Sequence, residues 1–341
     1  MINIRQSLQK ALAIGALLVS GVAWGWDSAG HMAVGAIADA LLAGTPAARH
    51  VSQILGPDEA LRQAAIWPDC VKAVDPDKRF AYVHTRYYDR QCQFFDHTQA
   101  GIQAMQDYVR RNNDNCPYDG KYQNCHKNYH FADIPLQQGH YDPAFIGASE
   151  HDVVHAMHAA LRLLQGQPVP DDIHFAEGDR GKVEALRLLA HLVGDIHQPL
   201  HVGALYLTPA GEPLNPRPDE ADGTSTQGGN LLQVGQSGNL HHDWDAVPRS
   251  LDAGALVAPS RAVPVSPGGA MDWPALWASE SVAAAGAAYR PLRFGARSGK
   301  TWPVVFHDRK AYIAARTQMQ SAQIVKAGAR LAQLLQAIWP Q

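Results

Sequence analysis

His191-Leu192-Val193-Gly194-Asp195-Ile196-His197-Gln198-Pro199-Leu200-His201 closes a segment, Lys182 to Ile196, whose apolar residues recur at helical spacing. Gln198-Pro199 ends that helix. His191 and Asp195 are four residues apart, so their side chains leave one helix face a turn apart and can reach a common ion, with His201 just past the break. Similar periodicity runs through Met32 to Leu42, Ser149 to Leu164 and Tyr312 to Ile338, and Ser149, Glu150 and Asp152 read as the capped start of the second of these. The expected class is mainly α. Leu231 to Val234 with the residues before Leu240 reads as a small β hairpin, Thr208 to Gly229 as a surface loop rich in Gly, Pro and Asp, and positions 251 to 272 as irregular.

The spacing repeats in Asn239-Leu240-His241-His242-Asp243-Trp244-Asp245, where His241 and Asp245 are again four apart. One such pair is more often a surface hydrogen bond than a metal site. Two pairs and His201, with no Cys among them, suit zinc in a catalytic rather than a structural role.

Charge narrows the reading. The chain has 29 Lys plus Arg against 32 Asp plus Glu, a formal charge of −3, and removal of Arg5 and Lys10 with a leader would make it more negative. That excludes a protein gripping nucleic acid through many Lys/Arg contacts to phosphate. It does not exclude a metal site, because bound cations carry their own charge. The 17 histidines are the more informative surplus.

Arg5 and Lys10, the apolar stretch Ala11 to Ala23, and Ala23-Trp24-Gly25 before Trp26 have the form of a signal peptide over 1–25. The apolar run is shorter than the roughly 20 residues a membrane span needs, so cleavage is expected rather than anchoring. The expected protein is exported, periplasmic or secreted. Residues 26–341 show no linker, charge block or repeat and are expected to form one domain, a monomer without a stable protein partner. Asp75 to Asn128, polar, aromatic and cysteine-bearing, reads as an insertion with a helix near Ile102 to Arg111. Cys70, Cys92, Cys116 and Cys125 are even in number and bound for an oxidising compartment, so disulfides are expected over metal thiolates. Of three possible connectivities, the short loop Cys116 to Cys125 is favoured, which leaves Cys70 with Cys92.

The 191–201 stretch, Gly228-Gly229-Asn230 and the 239–245 stretch together resemble the zinc-dependent single-strand-specific nucleases of fungi, plants and bacteria, whose helical fold zinc phospholipases C share. Trp26 with His31 is similar to that family's mature N-terminus, Trp67-Pro68-Asp69 to its Trp-Ala-Asp element, Tyr129-His130-Phe131-Ala132-Asp133 to its Trp-His-Phe-Ile-Asp element, and Ala327 to Ala332 to its C-terminal helix. The resemblance spans nearly the whole mature chain. It implies three Zn²⁺ ions: one on Asp69, His130, His191 and Asp195, a second on His201, His241 and Asp245, and a third on the amine and carbonyl of Trp26, His31 and the other oxygen of Asp195. It also implies catalytic roles for Asp69, Lys72, Asp133 and Asp195, and substrate contacts from Phe131, Asp133, Lys72 and Asn230, with Phe131 stacking on a base.

The implied function is hydrolysis of single-stranded DNA or RNA to 5′-phosphate products, with 3′-nucleotidase activity on nucleotides. One alternative is a zinc phospholipase C, a branch in which the last ligand is typically Glu rather than Asp245. Another is a non-catalytic exported zinc binder, although such sites tend to be His-rich repeats or closed cages. Three departures from the family pattern stand out. The Asp69 to His130 interval is longer, so the Asp75 to Asn128 insertion lies close to the metal cluster in sequence and is expected to border the cleft; Pro68 replaces Ala, and Lys72 stands where fungal members carry Arg, keeping the charge but losing the bidentate fork. His151, His155 and His158 read as solvated or capping, His84 and His97 as lying in the insertion with no partner at helical spacing, and His197 and His242 as donors behind the ligands.

Overall fold

Asp27 starts the first helix: its carboxylate accepts from the backbone N–H of Gly30 at 3.0 Å, satisfying a donor that the first turn leaves open. The computed structural model describes residues 26–86, 88–118 and 121–340; the expected leader, 1–25, lies outside them. Six long helices dominate: α1 (Ser28–Leu42), α2 (Gln99–Arg111), α3 (Val153–Leu164), α4 (Asp179–Asp195), α5 (Trp273–Tyr289) and α6 (Arg309–Ile338). No helix among the described residues is long and apolar enough to cross a membrane.

The second half of α4 is the spine, with every residue from Leu188 to Asp195 buried. It packs against α3, α1, α6 and the short helix Trp67–Val71. Burial on every face is why polar residues there, His191 and Asp195, cannot be idle, since an uncompensated polar group in such a place is costly.

Several boundaries differ from the sequence reading. The helix expected from Ser149 begins at Val153, capped by Asp152, which accepts from Val154 and His155 N–H groups, both at 3.0 Å. The 251–272 segment expected to be irregular holds a helix at Ala253–Ser260. Helix α5 was not anticipated, because its small apolar residues are spread around the helix and leave no stripe to read. The expected hairpin is present as Leu232–Val234 paired antiparallel with Gly238–Asn239, but it is one side of a four-stranded sheet. Trp302–Phe306 joins it parallel to Leu232–Val234, and Leu292–Phe294 completes the other edge.

The 75–128 segment carries a packed cluster of its own. Phe95, Met105, Tyr108 and Val109 pack with Trp67, Cys70 and Val71, and Cys70 is disulfide-bonded to Cys92. On the other side Arg187 of α4 lies over the rings of Trp67 and Phe95, at 5.4 and 4.9 Å, while its Nε donates to Glu59 at 2.8 Å. The short helix bearing Asp69 is thereby clamped between α4 and the 75–128 segment.

Candidate metal centre

Eight buried side chains from six separate elements converge at the end of α4. His31 comes from α1, Asp69 from Trp67–Val71, His130 from the 3₁₀ turn Cys125–His130, His191 and Asp195 from α4, His201 from the turn Pro199–His201, and His241 and Asp245 from the helix Leu240–Asp245. They form three groups, His31/His191/Asp195, Asp69/His130/His191 and His201/His241/Asp245, each with ligand atoms within 4.8 Å of one another. Asp195 is the hinge between them. Its Oδ2 lies 2.9 Å from both His130 Nδ1 and His191 Nε2, while its Oδ1 lies 3.4 Å from His31 Nε2 and 3.6 Å from His201.

Backbone carbonyls set the orientation of the rings. A carbonyl only accepts, so each ring nitrogen facing one carries the proton: His191 Nδ1 donates to Ala65 at 2.7 Å, His201 Nδ1 to His130 at 2.7 Å, and His241 Nδ1 to Gly228 at 2.8 Å. The consequence for the His201/His241/Asp245 group is specific. In neutral rings both Nε2 atoms then bear lone pairs, yet those of His201 and His241 face each other at 3.1 Å. Two lone pairs so close in a buried site repel unless a cation lies between them. His31 Nδ1 and Nε2, Asp195 Oδ1 and Asp245 Oδ2 are likewise buried without a hydrogen bond. Imidazole and carboxylate donors without thiolate, arranged in this way, fit divalent zinc.

Glycines make room for the crowding. Gly228 has φ +58°, which places its carbonyl on His241; a Cβ there would sit 2.2 Å from the Leu200 carbonyl oxygen. Protonation follows the same geometry. Burial, then the charge on Lys72, pushes His130 down to about 3, and burial, then His191, pushes His31 down to about 4, so both imidazoles are neutral donors near pH 7. Burial works to raise the Asp69 and Asp195 carboxyls, but Lys72 with the histidines holds Asp69 well below the usual range, and His191, His201 and His130 do the same for Asp195. Asp245 goes the other way: burial and the two neighbouring carboxylates lift it well above the usual range, against His241 and Gln198. Uptake of a cation at that group would release a proton.

The remaining expected residues fall in different places. Lys72 Nζ donates to Asp69 Oδ1 at 2.8 Å. Phe131 and Asp133 line a cleft of about 440 Å³ beside the metal centre, and the Tyr206 hydroxyl donates to the Asp133 carbonyl at 2.8 Å. Asn230 Nδ2 donates to the Gln227 carbonyl at 3.0 Å, within its own turn. Trp26 is wholly buried, and its indole N–H donates to the Gly194 carbonyl at 2.9 Å. Cys116 is disulfide-bonded to Cys125.

The other histidines are placed apart from these three groups. His155 pairs with Asp172 at 2.9 Å, His158 Nε2 donates to the Met271 carbonyl at 2.8 Å, and His151 stacks on Tyr129. His84 lies 2.9 Å from Asp89, five positions on, and His97 donates to the Gln93 carbonyl at 2.9 Å. His197 was expected to stand behind the ligands; instead its Nδ1 donates to Val193 at 2.7 Å and its Nε2 accepts from Arg330 at 3.0 Å. His242 is exposed.

Gln198 is a functional residue the sequence reading missed. Its Nε2 donates to Asp245 Oδ1 at 2.7 Å and its Oε1 accepts from Leu200 N–H at 2.7 Å, which fixes the carboxylate across from His201. The signal was its place three residues from Asp195 and from His201, read only as a helix end. The 75–128 segment borders the cleft through Tyr118, Lys121 and Tyr122, which the sequence did not single out.

Comparison with known proteins agrees with this geometry. The S1/P1 nuclease family profile matches residues 26–116 and 109–254. The chain is similar to Endonuclease 1 of Arabidopsis thaliana, 24% identical over 253 residues that cover 71% of this chain and 60% of that protein. It is also similar to Endonuclease 4 of the same plant, 40% identical over 65 residues, 18% of this chain and 15% of the relative.

Proposed function

The chain belongs to the S1/P1 nuclease family, and we propose that it is an exported, zinc-dependent phosphodiesterase that cleaves single-stranded DNA or RNA to leave 5′-phosphate ends and removes 3′-phosphates from nucleotides. The observation that carries the reading is the facing of His201 and His241 through Nε2 atoms 3.1 Å apart, with both Nδ1 protons committed to carbonyls. Asp69, His130, His191 and Asp195 would hold one ion, His201, His241 and Asp245 another, and His31, Asp195 and the amine and carbonyl of Trp26 a third. Zinc bound there supplies activation of water near neutral pH and neutralisation of charge on phosphoryl and leaving oxygens.

The side chains do the rest. Asp195, with one oxygen toward His130 and His191 and the other toward His31 and His201, keeps the groups in register. Lys72 steadies Asp69 and adds positive charge beside the site where a phosphate would bind. Asp133, in the cleft wall, orients the attacking water or a base edge, and Phe131 offers its ring to a base, a contact that tolerates any sequence. A cleft of about 440 Å³ opening beside the centre supports an enzyme over a storage protein, which needs no substrate space.

Zinc-loaded protein assayed on single-stranded DNA, RNA, a 3′-nucleotide and phosphatidylcholine, with end-group analysis of the products, tests this. Release of 5′-phosphate ends is expected. Turnover confined to phosphatidylcholine would overturn it in favour of a zinc phospholipase C.

A further inference from the structure

The cleft beside the metal centre has one wall that the 75–128 segment supplies. Strands Asn115–Tyr118 and Lys121–Asn124 form an antiparallel hairpin whose base is closed by the Cys116–Cys125 disulfide. Three ties fix it to the turn that ends in His130: Gln123 donates to the Asn128 side chain, Asn128 Nδ2 donates to the Pro117 carbonyl at 3.4 Å, and Cys125 N–H donates to Asp114 at 2.9 Å. Asn128 is two residues from His130. The hairpin is therefore held in register with the centre rather than left as a free arm.

Its aromatic residues are placed unlike core aromatics. The Tyr118 ring lies 5.1 Å from that of Phe131, inclined at 59°, so the two rings form an adjoining floor. Tyr122 also lines the cleft yet is 75% exposed, the largest exposure among the described large apolar side chains. An amphipathic ring at the mouth of a cleft has a π face accessible to a ligand that enters there. Lys121, cross-strand partner of Tyr118, adds a cation to the same cleft lining. Several π faces and a cation lining one cleft match the chemistry of successive bases joined by a phosphate.

We propose that this hairpin forms a second base subsite: one base of a single strand stacks over Phe131 and Tyr118, the next stacks on Tyr122, and Lys121 meets the phosphate joining them. The inference rests on the nuclease reading above and deepens it, because it makes the enzyme prefer a strand of two or more nucleotides over a single nucleotide. The subsite belongs to the inserted segment.

The test compares zinc-loaded wild type, Tyr122→Ala and Tyr122→Phe on an oligothymidylate and on a 3′-mononucleotide, alongside fluorescence-anisotropy binding of a cleavage-resistant phosphorothioate oligothymidylate. Tyr122→Ala is expected to raise KM and Kd for the oligonucleotide by at least about fivefold, the loss of one base stack. It should leave kcat and KM for the mononucleotide unchanged, and Tyr122→Phe, which keeps the π face, should restore oligonucleotide binding. Equal change on both substrates, or none on the oligonucleotide, overturns the subsite while leaving the nuclease reading intact. A wild type that neither binds nor cleaves the oligonucleotide overturns the nuclease reading itself.

Discussion

Gly194 lacks a side chain where His31 needs the space: a Cβ on Gly194 would stand 2.7 Å from His31 Nδ1 and 3.0 Å from its Cε1. That flush contact lets the His31 ring stack on His191 at 3.8 Å between centroids and places its Nε2 by Asp195. Gly194→Ala keeps a helix-compatible residue but pushes His31 aside. The expected outcome is about 10–100-fold weaker affinity for one zinc of the three, with the other two retained. Metal analysis across a chelator titration checks it, and full retention of all three ions would sink the assignment of His31.

Trp26, two positions before α1, is anchored to the same place by its indole bond to Gly194 and is wholly buried. If the amine of Trp26 is a ligand, it must be a free terminus. Protein made with extra residues before Trp26 is expected to hold one ion fewer and to lose most activity, while its melting curve in chelator matches that of protein beginning at Trp26. An extended form with three ions and full turnover would refute the role of the terminus.

Asp195 faces four histidines with its two oxygens, and Asp195→Asn keeps its size while removing the charge. The loss is electrostatic, because a neutral amide cannot balance adjacent cations. The expected variant holds fewer ions and has almost no hydrolysis of any substrate. Phe131→Ala should instead keep every ion and weaken nucleotide binding by about 1–3 kcal/mol. Near-normal turnover of Asp195→Asn with three ions bound would count against the shared carboxylate.

What could be read from sequence was local. His191/Asp195 and His241/Asp245 each sit one helical turn apart, so four residues of spacing already put their side chains on one face. What escaped was either featureless or non-local. Helix α5 is Ala-rich and shows no stripe, and Ala253–Ser260 carries a proline near its end, which argues against a helix in sequence. Gln198 looked like a helix terminator because its partner Asp245 is 47 positions away. The pairing of Tyr118 with Phe131 depends on a hairpin folding back across the disulfide, which no periodicity encodes.

That disulfide closes a short loop, Cys116 and Cys125 being separated by 9 in sequence, and ties down the hairpin. The double variant Cys116→Ala, Cys125→Ala is expected to lose about 2–3 kcal/mol of stability on the loop-closure account. Denaturant unfolding measures it. Oligonucleotide binding should fall with it, while mononucleotide hydrolysis by the folded variant should not.

His126, next to that disulfide, gives the protein an acid-sensitive point away from the metal ligands. Its ring is 2% exposed, its Nδ1 donates to the Asn112 carbonyl at 3.2 Å, and its Nε2 is buried without a hydrogen bond. Burial pushes its pKa down to about 3, against the pull of the Asn112 carbonyl. An imidazole with a depressed folded pKa contributes its full share of stability above the unfolded value of about 6.5 and loses it as pH falls toward 3, because in that window only the unfolded chain takes up the proton. His126→Asn keeps an amide donor for Asn112 and removes the titration. Metal-free wild type should therefore lose up to about 1.4 kcal/mol more per pH unit than the variant between pH 6 and 4. Unfolding by denaturant across that range gives the slopes. Parallel curves for the two proteins would show that His126 is not protonated on unfolding, and that the acid sensitivity lies elsewhere.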